Sequence, residues 1–232
     1  MAAIAHNTAP SPNSIWAAPG SYTVRLTVNG KALTQPITVK MDPRVKTPAA
    51  ELARQHELSK AMYEGVLETQ AALQKLRDIR AQIKKMQEKI GASGGAAASP
   101  DAGAATSVQS NATITQALAD FDKKAAALEG GGGGAGGRGG AAMGGPMGMG
   151  GPGGVAGGQD SLAGIGGSLN GLMSLLQAAD AAPTTQAVAA VTERREALRA
   201  LMAKWDAFRT KDVAALNAVL KAANLTISVT HN

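Results

Sequence analysis

The sequence contains no cysteine and few aromatic residues. Without cysteine, the chain has no disulfide bond, no zinc–thiolate site and no catalytic thiol. Phe, Trp and Tyr together make up 3% of the residues, so any core must be aliphatic and rich in alanine, which suits closely packed helices. The same scarcity leaves few platforms on which nucleic-acid bases could stack.

Long apolar runs are also missing. The first residues, Met1–Asn7, contain neither a basic nor an apolar segment, so no signal peptide is visible. The most membrane-like window, Ser161–Ala179, is interrupted by Ser, Asn, Gln and Gly and has no flanking aromatic or basic anchors. We therefore expect no membrane partner.

Patterns that bind metals are absent as well. The three histidines, His6, His56 and His231, lie far apart, and none has the Glu-x-x-His spacing of a bundle metal site. The methionines of the tract 143–149 could offer thioethers to Cu(I), but the low complexity of that tract explains them more simply. The sequence predicts no metal and no cofactor.

No catalytic motif is present either. There is no nucleophile elbow, Walker loop or dinucleotide fingerprint, and the glycine tract matches G-x-G by composition alone. Glu64, Glu68, Glu193 and Glu196 have spacings that favour ion pairs along exposed helix faces over the opposed carboxylates of a glycosidase. We predict that this chain has no catalytic residue and is not an enzyme.

The positive charge is spread out. The net charge is +6, but the segment 44–90 mixes ten Lys or Arg with six Asp or Glu, and no basic run exceeds two residues. Such mixing is typical of solvated helix faces. A basic nucleic-acid-binding protein is kept as a third hypothesis, because its salt-sensitive binding could be measured.

What the chain does have is a strong hairpin signal between Ser21 and Met41. Asn29-Gly30 favours a two-residue turn, and Pro36 suits an edge strand or a bulge. Alternation places a common set of apolar residues on one face: Tyr22, Val24, Leu26, Val28, Leu33, Ile37, Val39 and Met41. A lone hairpin is marginally stable in water, so we expect this face to pack on something apolar. The alternating tail Leu225–Val229 could add a strand.

The rest of the chain shows helical periodicity. We predict an antiparallel bundle of about four helices, mainly α, with a glycine-rich disordered linker. The helices are expected at 47–90 (Thr47 as N-cap), 110–128, 159–179 and 183–209, followed by a short helix capped by Thr210-Lys211-Asp212. Within the third helix, Gly164, Gly167 and Gly171 could allow a neighbouring backbone to approach closely.

The apolar positions of these helices recur every three or four residues. In chain order they are Met62, Val66, Leu73, Leu76, Ile83 and Ile90 (with Thr69 and Arg80 completing the seam); Ile114, Leu118, Phe121, Ala125 and Leu128; Leu162, Ile165, Leu169, Leu172 and Leu176; Val188, Val191, Leu198, Leu201, Trp205 and Phe208; and Val213, Leu216, Val219 and Leu220.

Several segments resemble a known family. Pro19–Lys31 and Gln35–Val45, with the Asp-Pro-Arg-Val exit at 42–45 and the Thr-Pro-Ala-Ala-Glu-Leu helix start at 47–52, are similar to the last strands of an Ig-like domain and the helical tail that follows it. This arrangement is found near the C-terminus of large bacterial BNR-repeat, sortilin-like β-propeller proteins, often labelled glycosyl hydrolases. Asp180–Thr184, Lys204–Asp206 and Leu216–Asn217 resemble the same tail, so the likeness covers roughly 16–225.

Composition, helical periodicity and the resemblance together predict a division of the chain. It comprises a disordered head (1–20), a partial Ig-like hairpin (21–45), a region of two helices (46–129), a Gly/Met/Pro-rich linker (130–158), a second helical region (159–225) and a tail (226–232). The resemblance also implies that the chain begins inside a larger, exported protein, periplasmic or extracellular, whose propeller and first Ig-like strands are missing here.

The function that the resemblance implies is structural. We expect a non-catalytic C-terminal module that contacts the upstream Ig-like and propeller domains or another protein surface. The alternative is part of a carbohydrate-active glycosyl hydrolase whose catalytic propeller is absent. No catalytic residue of the family has a counterpart in this chain.

Overall fold

The computed structural model describes residues 14–93, 103–130 and 160–229. In these ranges the chain is mainly helical with an N-terminal hairpin, which confirms the predicted fold class. Its elements are β1 (Gly20–Val28), β2 (Lys31–Val39), α1 (Ala49–Ser93), α2 (Gly103–Glu129), α3 (Leu162–Leu176), α4 (Thr185–Ala207), a π-helical turn (Phe208–Asp212), α5 (Val213–Leu220) and a 3-10 turn (Lys221–Ala223).

These elements form two compact units. The first contains residues up to Val66 together with Ser168–Arg195, and the second contains Leu67–Gly167 and the residues from Glu196 onward. The helices α1, α3 and α4 each contribute to both units.

The hairpin has the expected register and turn. β1 and β2 are antiparallel, with Val28 opposite Lys31 and Leu26 opposite Leu33. Asn29 and Gly30 both have positive φ, 48° and 77°, as a type I′ turn requires. Directly opposed residues share a face, so the apolar positions of the two strands lie together as predicted.

The two outer edges of the hairpin differ. Counting outward from the two-residue turn, alternate pairs exchange hydrogen bonds, and the pair of Thr23 with Pro36 is a non-bonded one. The nitrogen of Pro36 therefore points to the outer edge of β2, where the row of donors is interrupted. The outer edge of β1 contains no proline and keeps every backbone N–H.

The first unit buries a small helical core. Pro48 accepts the first helical hydrogen bond of α1, from the N–H of Leu52. The prediction of Thr47 as N-cap is therefore wrong, because its hydroxyl donates instead to the carbonyl oxygen of Asp180 at 2.7 Å. The buried residues of this unit come from α1, α3 and α4: Ser59, Met62, Val66, Leu169, Met173, Leu176, Ala187 and Val191.

The second unit has the larger core. Its α1 and α2 segments run antiparallel, because Arg77 bonds Glu129 whereas Arg80 reaches back to Asp122. On α4 and the π-helical turn, Phe208 stacks at 6.0 Å from Trp205 and its ring lies 4.6 Å from that of Phe121. The buried residues are mostly those of the predicted stripes: Thr69, Ala72, Leu76, Ile79, Ile83, Ile114, Leu118, Phe121, Ala125, Ser161, Leu162, Ile165, Leu198, Leu201, Trp205, Phe208, Val213, Leu216, Leu220 and Ile227.

Close approach to α3 occurs at a different glycine from those predicted. A Cβ on Gly166 would lie 2.8 Å from Oγ1 of Thr69, a fully buried residue of α1. Around Gly167 and Gly171 a Cβ would meet nothing within 4 Å. Those two glycines face open space, and the prediction for them is wrong.

The C-terminal helices also depart from expectation. Thr210, Lys211 and Asp212 do not cap a new helix, because they belong to the π-helical turn that joins α4 to α5 without a break. Val213 donates its N–H to the carbonyl oxygen of Phe208, five residues earlier. The π-helical turn places Phe208 and Val213, which are five residues apart and both buried, on the same side of the helix. The apolar face of α4 therefore continues along α5.

The C-terminal tail adds no strand to the hairpin. The sheet formed by the described residues contains β1 and β2 alone. Ile227 is instead buried in the second unit, and its backbone N–H and carbonyl group both bond the side-chain amide of Asn217, at 2.7 and 2.9 Å. An alternating pattern thus arises here because one apolar residue is anchored between exposed neighbours.

Candidate interaction surface and cavity

The apolar face of the hairpin is exposed to solvent. Among the described residues, six of its large side chains are between 41% and 69% exposed: Tyr22, Val24, Leu26, Val28, Leu33 and Ile37. We call this set the hairpin face. The opposite face presents mainly Thr, Ser and Arg25. The hairpin face is therefore largely apolar, with Lys31 opposite Val28 and Gln35 opposite Val24 as its polar neighbours, whereas the other side resembles an ordinary surface.

Burial of the hairpin face would contribute a large favourable free energy. Complete burial of an aliphatic or aromatic side chain contributes roughly 1.5–3 kcal/mol, and about half of each of these six side chains is still exposed. Covering the face would therefore contribute roughly 5–9 kcal/mol before the costs of association. Contiguous apolar surface of this kind marks an interaction site more often than scattered apolar residues do.

A cavity of about 590 Å³ lies at the base of the hairpin, within the first unit. Its apolar lining includes Trp16, Met41 and Leu52. Its ionisable lining consists of His56, Glu57 and Asp180. The walls thus come from the segment before β1, the end of β2, the first turns of α1 and the loop after α3.

Side-chain amides hold these walls together. The carbonyl oxygen of Gln177 accepts from the backbone N–H of Trp16 at 2.7 Å, and its amide group donates to the carbonyl of Ser14 at 3.4 Å. Gln55 donates to the carbonyl oxygens of Leu176 and of Ala179, the latter at 2.6 Å. These bonds fix the segment before β1 and the loop after α3.

A separate ion cluster joins α1 to α2 in the second unit. Arg80 donates to Asp122 at 2.7 Å and to Glu129 at 2.5 Å, and Arg77 donates to Glu129 at 2.9 Å. Hydrogen bonding from Arg77, followed by that from Arg80, holds the pKa of Glu129 below its ordinary value of 4.5. Asp122, followed by Glu129, raises the pKa of Arg80. Every charge has an opposite partner, so the cluster serves as a helix crosslink.

The acidic residues singled out in the sequence face solvent, and two of them form local ion pairs. All four are exposed. Glu64 is 3.9 Å from Lys60, one helical turn away, and Glu193 pairs with its neighbour Arg194 at 2.5 Å. Glu68 and Glu196 lie on exposed helix faces. Each of the two observed pairs joins a carboxylate to a basic group of the same helix and does not oppose two carboxylates.

Possible metal ligands are similarly dispersed. His56 is half-buried at the cavity, whereas His6, His231 and the methionine tract 143–149 lie outside the described residues. Within the described ranges, no three His, Asp or Glu side chains stand close enough to hold a metal ion. The described helices include none that is long and apolar enough to cross a membrane.

The cavity was missed by sequence reasoning. Trp16 lay in a head expected to be disordered, and its partner Gln177 is 161 residues away in the chain. The loop residue Asp180 was interpreted only as part of the break between two helices. The isolated tryptophan in a chain with only two was the one local signal.

We found no match to this chain among protein-family models, curated proteins or solved structures.

Proposed function

We propose that this chain is a non-catalytic structural or interaction module whose hairpin face packs against a second β-sheet. In this proposal β1 and β2 serve as terminal strands of an Ig-like sandwich, and the partner sheet belongs to an exported BNR-repeat, sortilin-like propeller protein. The observation that carries the proposal is the exposure of six large apolar side chains on one face of a two-stranded sheet.

The geometry of the hairpin supports a sheet as the partner. Two sheets packed face to face lie about 10 Å apart and interdigitate alternate residues of each strand. β1 contributes Tyr22, Val24, Leu26 and Val28 at this period, and β2 contributes Leu33 directly opposite Leu26. The other face, with Arg25 opposite Thr34, suits contact with water.

The proposal can be tested by photocrosslinking in the cells that make the protein. A photoreactive residue is placed at Leu33, which points into the hairpin face, or at Thr34, the adjacent residue on the opposite face. We expect efficient crosslinking from Leu33 into a strand-forming segment of one defined domain, in the same or another polypeptide, and little crosslinking from Thr34.

A second substitution separates docking from misfolding. Leu26→Thr should weaken crosslinking from Leu33 several-fold, while the helical circular dichroism stays unchanged because Leu26 is 58% exposed. Equal yields from Leu33 and Thr34, or crosslinking from Leu33 that Leu26→Thr leaves at the wild-type level, would show that the hairpin face is not a docking surface.

A further inference from the structure

The cavity at the base of the hairpin is acidic, although the chain is basic overall. Two carboxylates line it, Glu57 and Asp180, and its lining contains no Lys or Arg, whereas the chain has a net charge of +6. In the part of the chain that the structure describes, neither carboxylate group has a hydrogen-bond or ion-pair partner. Charge of one sign in a concave site attracts ligands of the opposite sign.

Trp16 gives the cavity an aromatic wall. The residue is 63% exposed, and Gln177 fixes its backbone beside the cavity, so the indole is accessible to a ligand. The face of an indole attracts cations more strongly than that of any other aromatic side chain. Met41 and Leu52 add apolar surface for the uncharged part of a ligand.

Two features of the cavity could favour an anion, and both are weak. The first turn of α1 borders it, and a helix N-terminus attracts negative charge. Glu51 lies in that turn and already supplies such a charge. His56 is the remaining ionisable group of the lining, and it stands next to Glu57 in the chain.

We propose that this cavity binds a small organic cation of the quaternary-ammonium type. The methyl groups would lie against the ring of Trp16, and the carboxylates of Glu57 and Asp180 would supply the opposing charge. A quaternary ammonium ion donates no hydrogen bond, so charge and apolar contact suffice to recognise it. The volume, about 590 Å³, falls within the range of small-molecule sites, about 300–1,000 Å³.

Calorimetric titration of the full chain tests the proposal with a matched pair of ligands. Choline carries a trimethylammonium group, and 3,3-dimethylbutan-1-ol has the same shape without the charge. We expect choline to bind at least about tenfold more tightly than the alcohol. Parallel titration with phosphatidylcholine vesicles shows whether the same group is taken from a lipid headgroup or from free solute. Absence of choline binding, equal binding of the alcohol, or binding of acetate in its place would overturn the proposal.

Variants then test the assigned residues. Trp16→Leu should weaken choline binding about two- to fivefold, the effect of an exposed cation–π contact. The double substitution Glu57→Gln with Asp180→Asn should weaken it at least as much. Glu64→Gln is the matched control, because this exposed acid of α1 pairs with Lys60 outside the cavity. The three substituted cavity residues are exposed, so helical circular dichroism should not change. Wild-type affinity in both cavity variants would refute the assignment.

Discussion

Adjacent glycines of α3 should respond differently to the same substitution by alanine. At Gly167 a new Cβ meets nothing within 4 Å, whereas at Gly166 it would lie 2.8 Å from Oγ1 and 3.5 Å from Cβ of Thr69. Real Cβ atoms do not approach other atoms as closely as 2.8 Å. Thr69 is fully buried and β-branched, so its side chain has little freedom to rotate away.

The size of the difference follows from two terms. Replacing Gly by Ala in a helix interior stabilises by about 0.8–1 kcal/mol, and this term is common to both positions. Overpacking of a filled core costs about 1–3 kcal/mol, and it applies at Gly166 alone. We therefore expect Gly167→Ala to stabilise by about 1 kcal/mol and Gly166→Ala to be less stable than Gly167→Ala by about 1–3 kcal/mol.

Urea unfolding followed by helical circular dichroism measures both variants. Thermal melts give a second measure, because in a chain of this size 1 kcal/mol corresponds to about 2–4 °C in Tm. Thr69→Ala removes the clashing oxygen, so the cost of Gly166→Ala should largely vanish in the double variant, as a double-mutant cycle would record. If Gly166→Ala and Gly167→Ala prove equally stable, the close approach between α1 and α3 is not the constraint described here.

Three further predictions concern the pH dependence and the two kinds of apolar surface. Arg77 and Arg80 depress the folded-state pKa of Glu129, so the stability that this carboxylate contributes is present above its ordinary pKa of 4.5 and is lost as the pH falls through the lower folded-state value. Glu129→Gln should therefore reduce the loss of unfolding free energy at acid pH, measured by urea unfolding at stepped pH. An unchanged dependence of that free energy on pH would count against the ion cluster. Leu33→Thr should leave Tm nearly unchanged, since Leu33 is 69% exposed. Leu118→Ala, at a fully buried position, should lower the unfolding free energy by about 2–5 kcal/mol. Similar losses of stability for the two variants in thermal melts would mean that the hairpin face is already covered. Asn217→Ala should remove the side-chain bonds to the backbone of the tail, so amide exchange should become fast there while α5 stays protected, and slow exchange in the variant would contradict this role.

The helices were predictable from sequence because their packing is periodic. Leu76, Leu118 and Leu201 each belong to a set of apolar residues at helical spacing in one helix, and each is buried. The hairpin was equally predictable from sequence, because Asn29-Gly30 is one of the few residue pairs that favour a two-residue hairpin turn. These features depend on residues that are close together in the chain.

The errors arose where distant segments decide the outcome. Which glycine of α3 faces a neighbour depends on Thr69, about a hundred residues away in the chain, and composition could not tell Gly166 from Gly167. The cap expected at 210–212 was overridden by the common apolar face of α4 and α5, which a π-helical turn preserves. The cavity around Trp16 likewise requires two segments that only the folded chain brings together.

The proline in β2 sets a limit on how hairpins could associate edge to edge. An exposed strand edge is a template for pairing with another chain, and here only the edge of β1 keeps a full row of donors. Two copies could join through their β1 strands about a two-fold axis, which is a closed arrangement. Each outer edge of that pair would then present Pro36, so a third strand finds an interrupted ladder. A single proline thus disfavours extension of a finite pair into an open-ended fibre.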